Sequence, residues 1–288
     1  MRILVVGTGL IGASVGLALK AQGVAVLGWD ADSAELKKAL EIGAIDEALG
    51  GREDVLTPGL ADVTVLATPV LPILDWMQKL APVLGESQLV TDVGSTKAEI
   101  SLMAKELFNQ PGRARFLPGH PMAGKESGGA QLAEVLLFQG ATWLFSPLGG
   151  EVSGLEGEWR RLVAGMGAVV RDIDAARHDE VCAWVSHLPQ MVSTALAALL
   201  EDTFAGDPEG MEAVQAIGGR ALRETTRLGA SPYSMWRDVA LTNTEAIGGT
   251  LLALEQRLQH VRENLRTPEL REEFLTANRF RAKRENRQ

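Results

Sequence analysis

The sequence predicts an α/β domain built on a mostly parallel sheet, followed by an all-helical domain. Two observations carry that reading. From Arg2 to about Asp172, short β-branched runs alternate with amphipathic segments, the pattern of parallel strands covered by helices. After Asp174 those runs stop, and Ala, Leu, Glu, Arg and Gln at helical spacing continue through Leu265. A boundary at 172/173 follows, giving domains 1–172 and 173–288.

The expected strands are Ile3–Val6, Ala25–Trp29, Val63–Ala67, Leu89–Asp92, Ala114–Leu117, Ala141–Ser146 and Ala168–Ile173. Turn signals separate them at Gly50-Gly51, Pro58-Gly59, Pro111-Gly112 and Gly149-Gly150. In the second half, breaks fall near Gly206-Asp207-Pro208 and Gly229–Pro232, and the stretch from Ser234 to Arg266 reads as one helix of eight or nine turns. A helix that long, carrying Leu241, Ile247, Leu251, Leu254 and Leu258, suggests a homodimer interface. The alternative is a helix curving round its own domain.

Composition narrows the function. The 288 residues, 46% apolar, are enough for about two domains with ordinary cores. Twenty-eight Lys+Arg against thirty-seven Asp+Glu leave a net charge of −9, which disfavours nucleic acid as a partner. Arg279, Arg281, Lys283, Arg284 and Arg287 crowd the C-terminus and read as a solvated helix end or a frayed tail. The single cysteine, Cys182, suits a reducing cytoplasm. No apolar run approaches the roughly 18 residues of a membrane span.

The first strand runs into Gly7-Thr8-Gly9-Leu10-Ile11-Gly12 and then an apolar-faced helix. This is the Rossmann-type dinucleotide fingerprint in its proper context. Gly7 makes the tight turn, Gly9 lets a pyrophosphate approach the backbone, and Gly12 lets helix and strand pack closely. Asp30 stands 18 residues beyond Gly12, where a carboxylate accepts from the ribose hydroxyls of NAD and repels a 2′-phosphate. Its competing reading is an N-cap for the helix starting near Asp32. Thr68 and Pro69, and Asp92 to Lys97, follow two further strands and should face the same cofactor. Ser95 within the latter segment is placed either to act or to cap the next helix, with Thr96 the rival cap.

His120 lies in Gly119-His120-Pro121-Met122-Ala123-Gly124, read as an irregular segment at a strand end. An imidazole there can take a hydroxyl proton as hydride leaves the same carbon; the alternative is an exposed loop histidine. His187 reads as a buried, satisfied histidine, His178 as a cap or solvated residue, and Cys182 as unpartnered. No pair has metal-ligand spacing, so no metal is expected. Arg223 to Arg227 and Met235 to Asp238 flank the Gly229–Pro232 break, where arginines can clamp a carboxylate and Trp236 can shield it.

Taken in order, the glycine motif, Thr91-Asp92-Val93-Gly94-Ser95-Thr96-Lys97, Gly119-His120-Pro121-Met122-Ala123-Gly124, Ser186-His187-Leu188-Pro189, Thr226-Arg227 and Met235-Trp236-Arg237-Asp238 resemble the prephenate/arogenate dehydrogenases of tyrosine biosynthesis. The resemblance spans nearly the whole chain. It implies that His120 accepts the ring-hydroxyl proton, that Ser95 supports the same hydroxyl and that Arg227 binds a substrate carboxylate. It further implies that His187 contacts substrate, Glu126 lies at the mouth of the site, Trp236 lines it, and the helical domains intertwine as a homodimer. The implied reaction is NAD-dependent oxidative decarboxylation of prephenate to 4-hydroxyphenylpyruvate. Arogenate, giving tyrosine, either substrate in a dual cyclohexadienyl dehydrogenase, and a non-catalytic NAD(H)-sensing module are the alternatives. Gln190, which follows Pro189, assigns neither substrate.

Overall fold

A computed structural model describes residues 1–150, 152 and 154–285. It resolves into two compact units, Met1–Thr244 and Glu245–Gln288.

In chain order, the first unit opens with β1 (Arg2–Val6), α1 (Leu10–Lys20), β2 (Ala25–Trp29), α2 (Ser33–Glu41), β3 (Glu47–Ala48) and α3 (Arg52–Val55). It continues with β4 (Val63–Leu66), α4 (Val70–Leu80), β5 (Leu89–Asp92), α5 (Ala98–Leu107) and β6 (Arg115–Leu117). Strand order is β3-β2-β1-β4-β5-β6, parallel throughout. The chain leaves β1 toward β2 on one side and joins β4 on the other, which makes a topological switch point beside the glycine motif. Ile3 and Val5 face one buried cluster while Leu4 and Val6 face the other, the period-two signature of a strand covered on both faces.

A second sheet follows, in place of one continuous sheet. It consists of β7 (Gly119–Pro121), β8 (Thr142–Phe145) and β9 (Val169–Asp172), with α6 (Gly154–Gly165) between the last two. β7 runs antiparallel to β8, and β8 parallel to β9. Pro118 explains the switch between sheets: it has no N–H to extend β6, and its carbonyl accepts instead from the Ser146 N–H at 3.0 Å. Trp143 anchors this sheet by edge-on contact with Trp159 of α6, 6.1 Å between ring centres, inside the cluster that contains Ile3 and Val5.

The helical half begins where Asp174 caps α7 (Ala175–Cys182) by accepting the Arg177 N–H. A π-helical turn at Ala183–His187 leads into α8 (Leu188–Phe204). Asp207 then caps α9 (Pro208–Ile217), and α10 (Gly219–Thr226) ends in a 3₁₀ turn, Arg227–Ala230. The single long helix expected from Ser234 to Arg266 is two helices, α11 (Tyr233–Thr242) and α12 (Thr244–Glu263). Asn243 breaks them: its amide donates to the Asp179 carbonyl at 2.9 Å and to His187 Nδ1 at 3.2 Å, and its backbone leaves the helical region. The continuous apolar spacing across the break conceals it.

The second unit holds α12 and a further helix, α13 (Glu269–Glu285), joined by Arg257 to Glu273 at 2.7 Å. Of the basic C-terminal residues, Arg279, Arg281 and Lys283 are exposed on α13, and Arg287 lies outside the described residues. No described helix is long and apolar enough to cross a membrane.

Candidate active site

The parallel strands end along one edge, and the glycine motif lies there. Gly7 has φ +94°, and a Cβ on it would meet the Ala67 carbonyl oxygen at 2.6 Å. A Cβ on Gly12 would lie 1.9 Å from the Gly7 carbonyl oxygen, so that contact excludes any side chain. A Cβ built on Gly9 would meet nothing within 4 Å beyond its own segment. Gly9 is also the N-cap of α1, with no side-chain cap and no acid in the first turn. Free N–H donors beside open space at a helix N-terminus are what a pyrophosphate requires, so these residues fit a dinucleotide. Leu10 is buried and Ile11 half-buried in that first turn, and Thr68 and Pro69 stand at the end of β4, Pro69 exposed.

Asp30 braces the same loop. Its carboxylate accepts from the Thr8 N–H at 2.5 Å and from the Asp32 N–H at 2.9 Å. Asp32, accepting the Ala34 N–H, is the N-cap of α2, so Asp30 is left half-exposed at the edge.

Asp92 belongs to the frame instead of the ligand face. It is fully buried, and its carboxylate accepts from Lys97 Nζ, from the Gly94 N–H at 2.8 Å and from the Gly119 N–H at 3.0 Å. One side chain thereby ties the loop holding Ser95 to the strand holding His120. Burial drives the Asp92 carboxyl up and the Lys97 ammonium down, each opposed by the other's charge. Ser95 is half-buried and does not cap α5. Neither does Thr96, whose hydroxyl pairs with Thr242 at 2.7 Å. The cap comes from Asp179, whose carboxylate accepts the Lys97 N–H at 2.7 Å and the Ala98 N–H at 2.8 Å.

His120 sits in a strand, not an irregular loop, and is only 8% exposed. Its Nδ1 lies 2.8 Å from Nε2 of His178, whose own Nδ1 lies 2.7 Å from the Asp179 carboxylate. His178 is therefore neither solvated nor a cap; it is fully buried within α7. Cys182 is likewise not isolated: its Sγ is 3.6 Å from His178 Nε2, and ligand atoms of His120, His178 and Cys182 lie within 4.8 Å of one another. Burial pushes the Cys182 thiol up to about 12. The sequence did hold a signal, since His178 and Cys182 are spaced i, i+4 and share a helix face. Burial, then the charges of His178, Lys97 and His187, hold His120 well below the usual 6.5. Burial also lowers His178, against the pull of Asp179, and takes His187 to about 4.

His187 is buried, its Nδ1 accepting from Asn243, which places its ring proton on Nε2. Trp236 meets it edge-on at 5.8 Å, and the buried Trp236 indole N–H has no acceptor among the described residues. Arg227 ion-pairs with Glu126, and both are partly exposed. Gln190 is occupied structurally: it donates to the Leu228 carbonyl at 2.7 Å and accepts from Ser231, fixing the turn that carries Arg227. The structure thus gathers His120, Ser95 and the glycine motif around one framework, with His187 and Trp236 forming a second pair and Arg227 and Glu126 a third.

The family models described as the prephenate dehydrogenase nucleotide-binding domain and dimerization domain match residues 15–171 and 174–278. A prephenate dehydrogenase of Lactococcus lactis subsp. cremoris is 31% identical over 268 residues, 91% of this chain and 70% of that one. The crystal structure of prephenate dehydrogenase from A. aeolicus, in complex with hydroxyphenyl propionate and NAD+, matches with TM-score 0.84 and 27% identity, over 100% of this chain and 98% of that one. The Synechocystis arogenate dehydrogenase structure matches with TM-score 0.76 and 30% identity, over 98% and 99%.

Proposed function

Because this chain belongs to the prephenate dehydrogenase family, matched across both its sheet and its helical halves, we propose that it oxidises prephenate to 4-hydroxyphenylpyruvate with loss of carbon dioxide. NAD supplies the hydride acceptor. The hydroxyl-bearing ring carbon gives up its hydride while His120 takes the hydroxyl proton. The bond to the ring carboxylate then breaks, its electron pair stays in the ring, and the aromatised oxygen recovers the proton from His120. The observation that carries this reading is His120 itself: buried, held neutral, and fastened through Gly119 and Asp92 to the loop bearing Ser95. Ser95 is placed to support the same hydroxyl.

Two donors, His187 Nε2–H and the unpaired Trp236 indole, suit an anionic substrate. Arg227 is the anchor for a substrate carboxylate, which takes over the place Glu126 holds at the mouth of the site. Arg227→Ala is expected to raise KM about thirtyfold, equivalent to about 2 kcal/mol, the low end for a charged pair lost on binding because the guanidinium is half-exposed. The change in kcat should be much smaller. A KM within twofold of the parent, with NAD binding lost, would move Arg227 to the cofactor side.

NAD is expected over NADP, because the half-exposed Asp30 offers oxygens to a ribose diol and repels a phosphate. Asp30→Ser should narrow the ratio of catalytic efficiencies; it should also weaken both cofactors, since the Thr8 N–H loses its partner. Equal efficiency with the two cofactors in the parent protein would sink the assignment. The helical half supports a homodimer: its family model is described as a dimerization domain, and Leu252, Leu258 and Leu265 are each more than half exposed. The buried thiol of Cys182 suits a reducing cytoplasm. The Synechocystis likeness keeps arogenate as the second substrate to test. Following NADH absorbance with prephenate and with arogenate decides between them, and turnover of neither would overturn the proposal.

A further inference from the structure

We propose that His178, held by Asp179, is a positioning residue that fixes His120 in the tautomer with its proton on Nδ1, leaving Nε2 bare as the base. This rests on the reading that His120 takes the hydroxyl proton, and supplies what that reading lacks: a reason why the correct nitrogen is free.

The hydrogen positions follow from one fixed end. A carboxylate only accepts, so the 2.7 Å contact between Asp179 Oδ1 and His178 Nδ1 puts the His178 proton on Nδ1. His178 Nε2 is then a lone pair, and the 2.8 Å contact to His120 Nδ1 obliges His120 to donate there. A neutral imidazole carries one such proton, so His120 Nε2 has none. The reverse assignment would set a bare His178 Nδ1 against an Asp179 oxygen that already accepts the Lys97 N–H at 2.7 Å; two lone pairs would face each other in a buried site. Asp179 cannot swing away, because its other oxygen accepts the Ala98 N–H and its carbonyl accepts from Asn243. Without this chain, His120 is free to carry its proton on Nε2, where it presents a donor to the substrate hydroxyl and can take nothing.

The chain contains four histidines, so histidine-labelled ¹⁵N protein gives a readable long-range ¹H–¹⁵N spectrum, with His120→Asn identifying the His120 signals. His120 and His178 are both expected Nδ1-protonated, with Nε2 unprotonated. A His120 ring protonated on Nε2 overturns the inference without any other variant. His178→Leu removes the acceptor, whereas the amide oxygen of His178→Gln reaches about where Nε2 stands. His178→Leu should lose about 10²-fold in kcat and shift His120 toward the other tautomer, and His178→Gln should stay within about tenfold of the parent. NAD affinity should be unchanged in both. Full kcat in His178→Leu, or equal losses in the two, overturns the positioning role. Full kcat in His120→Asn would instead overturn the choice of base, whatever the spectrum shows.

Discussion

His120→Asn is expected to lower kcat by about 10²–10⁴-fold, the usual worth of a positioned general base, with NAD affinity little changed. Asn keeps a polar group at the site but cannot take a proton. The pH profile gives the independent check. Burial and three neighbouring cationic or ionisable groups hold His120 well below 6.5, so the base is neutral at neutral pH. The acid limb of kcat/KM should therefore lie below 6.5, and the small residual activity of His120→Asn should lack it. A midpoint at or above 6.5, or an unchanged limb in the variant, would remove His120 from this role. Stability moves in the same direction and must be separated from it. His187, at about 4 when folded, binds its proton more readily when unfolded, so its contribution to stability falls as pH drops from 6.5 toward 4. Near-ultraviolet circular dichroism over the same pH range distinguishes a titrating base, which leaves the folded signal intact, from an unfolding protein.

Lys97→Met is expected to cost about 3–5 kcal/mol of folding stability, because it strands the Asp92 carboxylate in the interior. Both side chains of the pair are at most 1% exposed. Against a typical total of about 5–15 kcal/mol, that is a large share, and the melting temperature should fall by roughly 10 °C. Adding Asp92→Asn should restore part of the loss, since the amide oxygen still accepts from Gly94 or Gly119 while the charge is gone. Thermal and urea unfolding of the single and double variants measure this. A loss under about 1 kcal/mol in Lys97→Met would show that water reaches the pair.

Features written into neighbouring residues were legible in the sequence. β2 and β5 begin and end where the sequence places them, and β2 is the continuously apolar run expected of a strand covered on both faces. Gly12 is a glycine for a contact its own segment makes, with the Gly7 carbonyl oxygen, and Gly7 for the positive φ of its own turn. What escaped was made by residues far apart. Three residues containing Gly and Pro carry no periodicity, so β7 was not legible until β8 paired with it. The cap of α5 comes from Asp179, not the adjacent Ser95 or Thr96. His178 gains its meaning from a ring 58 positions away, and Asn243 breaks a helix by bonding across the fold to residues 56 and 64 positions earlier.

Two carboxylates of the helical half serve helices of the sheet half. Asp179 closes the start of α5, and the fully buried Asp238 accepts the Leu71 N–H at 3.1 Å at the start of α4. A fragment ending at residue 172 would keep its fingerprint and every strand, yet expose two helix starts that no residue of its own closes. The nucleotide-binding half is thus not a freely exchangeable cassette. Any transplant of it between enzymes must bring along an acid at each of these two positions, and residues 1–244 should melt as one cooperative body.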